Sequence, residues 1–267
     1  MSTRPDPAAV AATLQRVHDK GPLVHCLTNV VVANVTANAL LAVGASPAMV
    51  ENADESAPFA AVASAVLVNL GTLSRERSEA MRAAAASAAS AGTPWVLDPV
   101  AVGALAHRTV LAADLLEHRP AVVRGNPAEV LGLVGAGGAG RGVDSTVGPE
   151  AALEAATALA LATGGVVAVS GAVDRVTDGR QVVEVPTGDP LLTRVTGAGC
   201  MLGGLVAACL GAGAEPLEAA VGATVALTVA AEEAAASSRG PGSFGVALID
   251  ELSCLDEATI ARRLSAR

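Results

Sequence analysis

The chain has 267 residues, 52% of them hydrophobic, and a formal net charge of −9 at pH 7. This length suits one large domain with a sizeable core. With 2 Phe, 1 Trp and no Tyr, the chain has almost no aromatic platforms on which single-stranded nucleic acid could stack. Its negative charge also argues against broad contact with a phosphate backbone. We therefore expect no nucleic-acid partner.

The cysteines and the apolar runs indicate a soluble protein of a reducing compartment. The four cysteines are far apart in the sequence and form no CxxC pair, so neither a structural zinc site nor a disulfide framework is indicated. Residues 1–6 contain no apolar signal core. The longest apolar run, 219–231, is too short to span a bilayer. We expect a cytoplasmic protein without a membrane partner.

The first quarter of the chain predicts an alternation of helices and strands. An amphipathic helix over 8–19 ends at Gly21-Pro22. It is followed by a strand over 23–29 with polar residues at its end, a helix over 30–42 capped by Gly44, a short strand over 47–50 and a solvated turn over 51–56.

A regular rhythm follows from residue 65 onward. The predicted strands are 65–70, 94–97, 121–123 and 166–169, and the predicted helices are 75–91, 108–118, 127–134 and 149–163. Such alternation predicts parallel βαβ units.

The last third of the chain departs from that rhythm. Alternating residues around Asp178-Gly179 predict a β-hairpin. A long Ala-rich helix over 215–237 follows, then a turn over 240–243 and helices near 245–252 and 256–265. No linker is evident, so residues 1–267 are predicted to form a single α/β domain.

Polar residues follow the predicted strands and should meet at one edge of the sheet. In open parallel sheets, ligands bind at the carboxyl ends of the strands. Those ends carry Thr28-Asn29, Gly71-Thr72, Asp98-Pro99, Arg124-Gly125-Asn126 and Ser170-Gly171. This combination of donors, one cation and one carboxylate suits a polyphosphate and a metal ion.

The segment 196–204, TGAGCMLGG, stands just before an apolar run. It predicts a tight loop that opens into a helix whose first amides have no internal partner. Such a helix start can bind phosphate, and its field would favour the thiolate of Cys200. Close packing of a small-residue helix explains the glycines equally well.

Three charged residues have both a structural and a functional interpretation. Asp98 is either a turn residue before Pro99 or a ligand of Mg²⁺, directly or through water. Glu129 completes a capping box that begins at Asn126, and the same geometry places its carboxylate at the sheet edge. Arg124 ends a buried strand, where an anion such as phosphate would offset the cost of burying its charge.

Two other features are interpreted as structural. Residues 135–140 match G-x-G-x-x-G, but a helix precedes them instead of a strand, so a mobile surface loop is predicted rather than a dinucleotide site. His25 is predicted to be a satisfied histidine within its strand.

Several motifs together, in order and spacing, resemble the hydroxyethylthiazole kinase family. They are PLVHCLTN (22–29), GASPAM (44–49), LDPV (97–100), VRGN (123–126), DRVTDG (174–179), TGAGCM (196–201) and PGSF (241–244). The resemblance covers about Gly21 to Leu252.

This resemblance implies a ribokinase-like three-layer α/β/α fold with a mostly parallel sheet. It also implies ATP-dependent phosphorylation of 4-methyl-5-(2-hydroxyethyl)thiazole in thiamine salvage, by a homotrimer with its sites between subunits. The resemblance implies that Arg124 and Ser170 bind ATP and that Asp98 and Glu129 bind Mg²⁺. It implies that Met49 and the backbone of Gly197 contact the thiazole, with Asn29 as a further candidate. Cys200 stands where related kinases carry an aspartate base.

Some residues differ from the usual family pattern. Ala198 replaces a common Thr, Ala101 a frequent Gly, Pro127 a small residue and Val30 a frequent Tyr. Two alternatives therefore stay open. One is a kinase of the same fold for another small alcohol, a pyrimidine or pyridoxal, which Cys200 disfavours. The other is a non-catalytic nucleotide-binding regulator, which the intact Asp98, Glu129 and Arg124 disfavour.

Overall fold

The computed structural model describes residues 2–136 and 149–266, and one nine-stranded sheet runs through its centre. The strands are β1 Ser2–Thr3, β2 Leu23–Leu27, β3 Ser46–Ala48, β4 Ala65–Asn69, β5 Trp95–Asp98, β6 Val122–Gly125, β7 Val166–Val169, β8 Asp174–Thr177 and β9 Val182–Val185.

Helices cover both faces of this sheet. They are α1 Pro7–Lys20, α2 Ala33–Ala42, α3 Ala53–Val62, α4 Arg75–Ala91, α5 Ala106–Leu116, α6 Pro127–Ala136, α7 Pro149–Thr163, α8 Ala198–Gly211, α9 Pro216–Ser237, α10 Pro241–Cys254 and α11 Glu257–Ser265. A short 3₁₀ helix spans Pro190–Arg194. Apolar residues of α1, α2 and α8 to α11 form one core with the sheet, and those of α3 to α7 form a second core on the opposite face.

The strand order brings the carboxyl ends of the central strands to one edge. The order is β1-β9-β8-β7-β6-β5-β4-β2-β3, and every pair is parallel except those that β8 makes with β7 and β9. The parallel pairs from β3 to β7 have closely matched registers, for example Asn69 beside Asp98 and Arg124 beside Ala168. Residues at or just after these strand ends therefore lie next to one another.

Local sequence explains the central elements. Strand β4 is apolar up to its last residue and buried along its whole length, as expected of a parallel strand covered on both faces. Helix α4 begins after Ser74, whose hydroxyl accepts a hydrogen bond from the Arg77 amide. It ends at Gly92, which has a left-handed φ of 74°, a conformation that glycine adopts without strain.

Most predicted elements are present, including the hairpin β8–β9, but two predicted turns are partly helical. The segment 51–56 is not a solvated turn, because α3 begins at Ala53 and Ser56 is buried. The side chain of Asn52 caps this helix by accepting from the Asp54 amide. Helix α10 also begins at Pro241, inside the predicted turn. Most of the loop predicted at 135–140 lies outside the described residues.

Helix α9 is long and apolar enough to cross a membrane by length and composition. It is largely buried inside the protein, however, and packs against α1, α8, α10 and α11. These contacts are typical of the core helix of a folded domain, so its apolar composition is explained by burial.

Candidate active site

The first turn of α8 faces the edge where the parallel strands end. Gly197 caps this helix with a left-handed φ of 93°, and a Cβ there would lie 2.9 Å from a methyl carbon of Val35. Only glycine fits both constraints. The first hydrogen bond into the helix runs from the Met201 amide to the Gly197 carbonyl. The preceding amides have no acceptor within the helix and can donate to an anion.

Arg124 lies directly beneath this helix start. A Cβ on Gly199 would be 2.6 Å from Nη1 of Arg124 and 2.8 Å from its Nη2. The guanidinium donates to the Ser170 hydroxyl at 2.8 Å, and Nη1 lies 3.7 Å from Oδ1 of Asp98. A buried cation thus shares one small volume with the open amides of α8, which is the arrangement expected of a phosphate site.

Ser170 is held by its own loop. Its amide donates to the Gly125 carbonyl at 3.0 Å, and the next amide, that of Gly171, donates to Asp174 at 2.7 Å. Burial raises the pKa of Asp174 to about 6, against the opposing effects of the Gly171 amide and Arg124. The turn that presents the Ser170 hydroxyl to Arg124 is therefore fixed from both sides.

A chain of hydrogen bonds links Asp98 to Cys200. Asn69 donates from Nδ2 to Oδ2 of Asp98 at 2.7 Å, and its Oδ1 accepts from the side-chain Nδ2 of Asn29 at 3.0 Å. Nδ2 of Asn29 also lies 3.6 Å from Sγ of Cys200. The Gly71 amide donates to Oδ1 of Asn69 as well. These contacts fix the orientation of both asparagine side chains.

The predicted lowering of the Cys200 pKa is wrong. Burial raises the pKa of the thiol above its ordinary value, and the nearby Asp98 adds to this rise. Hydrogen bonds from Asn69 and Asn29 and the charge of Arg124 only partly oppose it. Desolvation and a neighbouring carboxyl group therefore outweigh the field of the helix start. These influences favour the protonated thiol at Cys200.

Glu129 supports the same edge from α6. One carboxylate oxygen accepts from the Ala101 amide at 3.0 Å and the other from the Asn126 amide at 2.8 Å. Asn126 in turn accepts from the Glu129 amide at 2.9 Å, which completes the predicted capping box. Glu129 thereby ties the loop after β5 to the end of β6.

Asp98 is the carboxyl group best suited to a cation. It is fully buried, and burial raises its pKa to about 7 despite the opposing charge of Arg124 and the hydrogen bond from Asn69. Its Oδ1 has no hydrogen-bond partner. A hard cation would satisfy that oxygen. Within 2–136 and 149–266 no cluster of three or more His, Cys, Asp or Glu residues could hold a metal ion.

Met49 lies apart from this cluster. It follows β3, which forms the outer edge of the sheet. Strand β3 pairs with β2 so that Ala48 lies beside His25. Its side chain is 37% exposed. The structure thus brings together Asp98, Glu129, Arg124, Ser170, Gly197 and Cys200, and it places Met49 one strand beyond Asn29.

Sequence reasoning missed Asn69, which connects Asp98 to Asn29. The sequence does show an asparagine directly after the apolar run 65–68. It was overlooked because the strand was predicted to continue through Leu70. His25 also differs from its prediction, because Nδ1 is buried without a partner while only Nε2 is hydrogen-bonded.

Comparisons with known proteins agree with this geometry. The model of the hydroxyethylthiazole kinase family matches residues 14–258. A hydroxyethylthiazole kinase from Kineococcus radiotolerans is 57% identical over 257 residues, which cover 96% of this chain and 94% of that protein.

Solved structures show the same likeness in three dimensions. A hydroxyethylthiazole kinase protein from Pyrococcus horikoshii superposes with a TM-score of 0.88 at 40% identity, over 94% of this chain and 95% of that one. A ribokinase-like superfamily protein from Enterococcus faecalis has a TM-score of 0.64 at 12% identity, over 96% and 93% of the two chains, and shows the fold alone. The predicted ribokinase-like α/β/α fold is confirmed.

Proposed function

Because the chain belongs to the hydroxyethylthiazole kinase family, we propose that it transfers the γ-phosphoryl group of ATP to the hydroxyl of 4-methyl-5-(2-hydroxyethyl)thiazole, in thiamine salvage. The observation that carries this proposal is the placement of the Arg124 guanidinium against Gly199, under the open amides of α8. Phosphoryl transfer depends mainly on positioning and on neutralising negative charge. A buried arginine beside a helix start supplies both.

Each side of the site has its own task in this proposal. Arg124 and Ser170 bind the phosphates of ATP, since their mutual hydrogen bond of 2.8 Å already orients both groups. The amides at the start of α8 donate to the transferring phosphoryl group, where negative charge is concentrated. The backbone of Gly197 and the side chain of Met49 contact the thiazole, with Asn29 as a further candidate contact.

Asp98 would hold Mg²⁺ through Oδ1, which accepts no hydrogen bond, and Glu129 would assist through water because both its oxygens already accept backbone hydrogen bonds. When bound, the ion would neutralise charge on the phosphate oxygens. Asn69 keeps the other oxygen of Asp98 occupied at 2.7 Å. Asp98 therefore presents one defined oxygen to the phosphate site.

Cys200 lies where the substrate alcohol would be deprotonated. Its thiol has a raised pKa, so it is a weak base and contributes only part of the rate. A loose transition state needs little help from a base, because the bond to the attacking oxygen is barely formed and the alcohol proton is lost late. Asn29, 3.6 Å from the sulfur, orients the thiol.

We further propose that residues 1–267 act as one domain in a cytoplasmic homotrimer, in which Met49 completes the pocket of a neighbouring subunit. The edge position of β3 supports this assembly, as do the exposed apolar side chains of Val30 and Val31, at 60% and 66%.

The free cysteines support a reducing compartment.

An assay of ATP consumption with a panel of alcohols tests the proposal. We expect turnover with the thiazole alcohol and much less with hydroxymethylpyrimidine or pyridoxal. Faster turnover with either of the latter would assign the chain to another alcohol. ATP binding without turnover on any alcohol would indicate a nucleotide-binding regulator.

A further inference from the structure

Two side chains from distant parts of the chain hold the segment that carries Met49. We define the Met49 segment as residues 49–51, between β3 and α3. Nε2 of His25 lies 2.8 Å from the Val50 carbonyl oxygen. Arg77 forms an ion pair with Glu51 through Nη2. Val50 and Glu51, the two residues that follow Met49, therefore each contact a side chain from another element.

His25 is well placed to fix the backbone at Val50. It is fully buried in β2, and its ring packs edge-to-face on Phe59 of α3, with centroids 5.1 Å apart. A carbonyl oxygen only accepts hydrogen bonds, so Nε2 must carry the proton and donate it. Burial lowers the pKa of His25, which keeps the ring neutral. The hydroxyl of Ser56 reaches the same carbonyl only at 3.4 Å, so His25 makes the shorter contact.

Arg77 ties the same segment to two strand ends. It stands in the first turn of α4, and its side chain is only 17% exposed. Besides Glu51, its Nη1 donates to the Thr72 carbonyl at 3.3 Å and reaches the Thr28 carbonyl at 3.5 Å. Thr72 has a left-handed φ of 47°, which such a tether helps to maintain. One guanidinium thus joins the loops after β2, β3 and β4.

We propose that His25 and Arg77 are positioning residues for the alcohol substrate, because together they set the place of the Met49 side chain without touching the substrate themselves. This inference rests on the proposed function, in which Met49 contacts the thiazole. The ATP residues lie elsewhere: β6, which carries Arg124, is four strands from β3, which leads into Met49. At the usual strand spacing this separation is about 19 Å. Loss of either tether should therefore affect the alcohol and spare ATP.

Steady-state kinetics of Arg77→Met provides the test. We expect the KM for the thiazole alcohol to rise about tenfold, the affinity that the loss of about one net hydrogen bond costs, with the KM for ATP unchanged. The matched control is Arg82→Met, on the same helix, which removes an ion pair with Asp114 of α5 instead. An unchanged KM for the alcohol, or equal rises for both substrates, would overturn the proposal.

A second pair of variants separates positioning from folding. Gln at position 25 retains a donor near the place of Nε2, whereas Leu removes it. We expect His25→Gln to keep the KM for the alcohol near that of the parent and His25→Leu to raise it. Equal KM values in two folded variants would contradict the role of His25.

Hydrogen exchange gives a readout that does not depend on activity. In Arg77→Met, amides of the Met49 segment and Asn52 should exchange faster than in the parent, while Arg82→Met leaves them unchanged. Unaltered exchange would refute the tether even if the parent proved inactive on the thiazole alcohol. Parent inactivity with faster exchange would instead refute the proposed function and retain the tether.

Discussion

Replacement of Asp98 by asparagine should remove a pH-dependent loss of stability and also abolish most activity. Burial raises the pKa of Asp98 from 3.8 to about 7 in the folded protein. Between these two pH values the folded state keeps a proton that the unfolded state has released. The stability associated with this group is therefore fully present below about pH 4 and is lost as the pH rises through about 7.

The size of the effect follows from the shift. One proton difference changes the free energy of unfolding by about 1.4 kcal/mol per pH unit. Over about three pH units, ionisation of Asp98 should lower the parent's free energy of unfolding by about 4 kcal/mol. Asparagine mimics the protonated acid, since its oxygen can accept the hydrogen bond from Asn69. Its amide would face Arg124 and lower stability by an amount that does not depend on pH near neutrality.

The assay is urea unfolding of parent and Asp98→Asn at several pH values from 4.5 to 8, with a chelator present. We expect the difference in free energy of unfolding, variant minus parent, to rise by about 1.4 kcal/mol per pH unit up to pH 7. Asp114→Asn, which removes a half-exposed carboxylate paired with Arg82, is the matched control for the loss of one negative charge. Turnover of Asp98→Asn should fall at least about a hundredfold. A flat difference for Asp98→Asn would show that the buried carboxyl is ionised throughout, and unchanged turnover would remove it from the site.

Three further predictions concern the helix start, the ATP subsite and the assembly. Cys200→Ala should slow kcat without abolishing it, and Cys200→Asp should match or exceed the parent. If a folded Asp variant were slower than the Ala variant, the side chain would not be near the transferred proton. In Gly199→Ala the new Cβ would lie 2.6 Å from Nη1 of Arg124, so the guanidinium must move and the KM for ATP should rise about tenfold. Gly242→Ala, with open space around it, should not raise this KM, and equal KM values in both variants would disprove the contact. Light scattering should give three times the chain mass of 26.1 kDa, and an active monomer would disprove the trimer.

Elements marked by strong local signals could be predicted from the sequence. The Ala-rich helix predicted over 75–91 coincides with α4, and Ser74 and Gly92 cap its ends. The buried strands were predicted because continuous apolar runs end in polar residues. Helix α3 was missed because polar residues over 51–56 suggested a turn, although Asn52 is a preferred capping residue.

Because ligands bind at the carboxyl ends of parallel strands, most of the candidate site could be predicted from the sequence, including Asp98, Arg124 and Ser170. Interactions between distant segments could not be predicted in this way. The link from Asn69 to Asn29 spans 40 positions, and no local pattern specifies such a pair. The pKa of Cys200 was mispredicted for a related reason: its burial and the nearness of Asp98 arise only from the tertiary structure.

A competition assay would test most directly whether this site phosphorylates the thiazole alcohol. Equal concentrations of the thiazole alcohol, hydroxymethylpyrimidine and pyridoxal would be incubated with the protein and limiting ATP, and the phosphate esters quantified by mass spectrometry. Product ratios then report the relative kcat/KM values of the three alcohols. We predict that the thiazole phosphate is the dominant product and that Asp98→Asn forms almost none of it. A dominant pyrimidine or pyridoxal phosphate, or no ester at all from the folded parent, would contradict the proposed function.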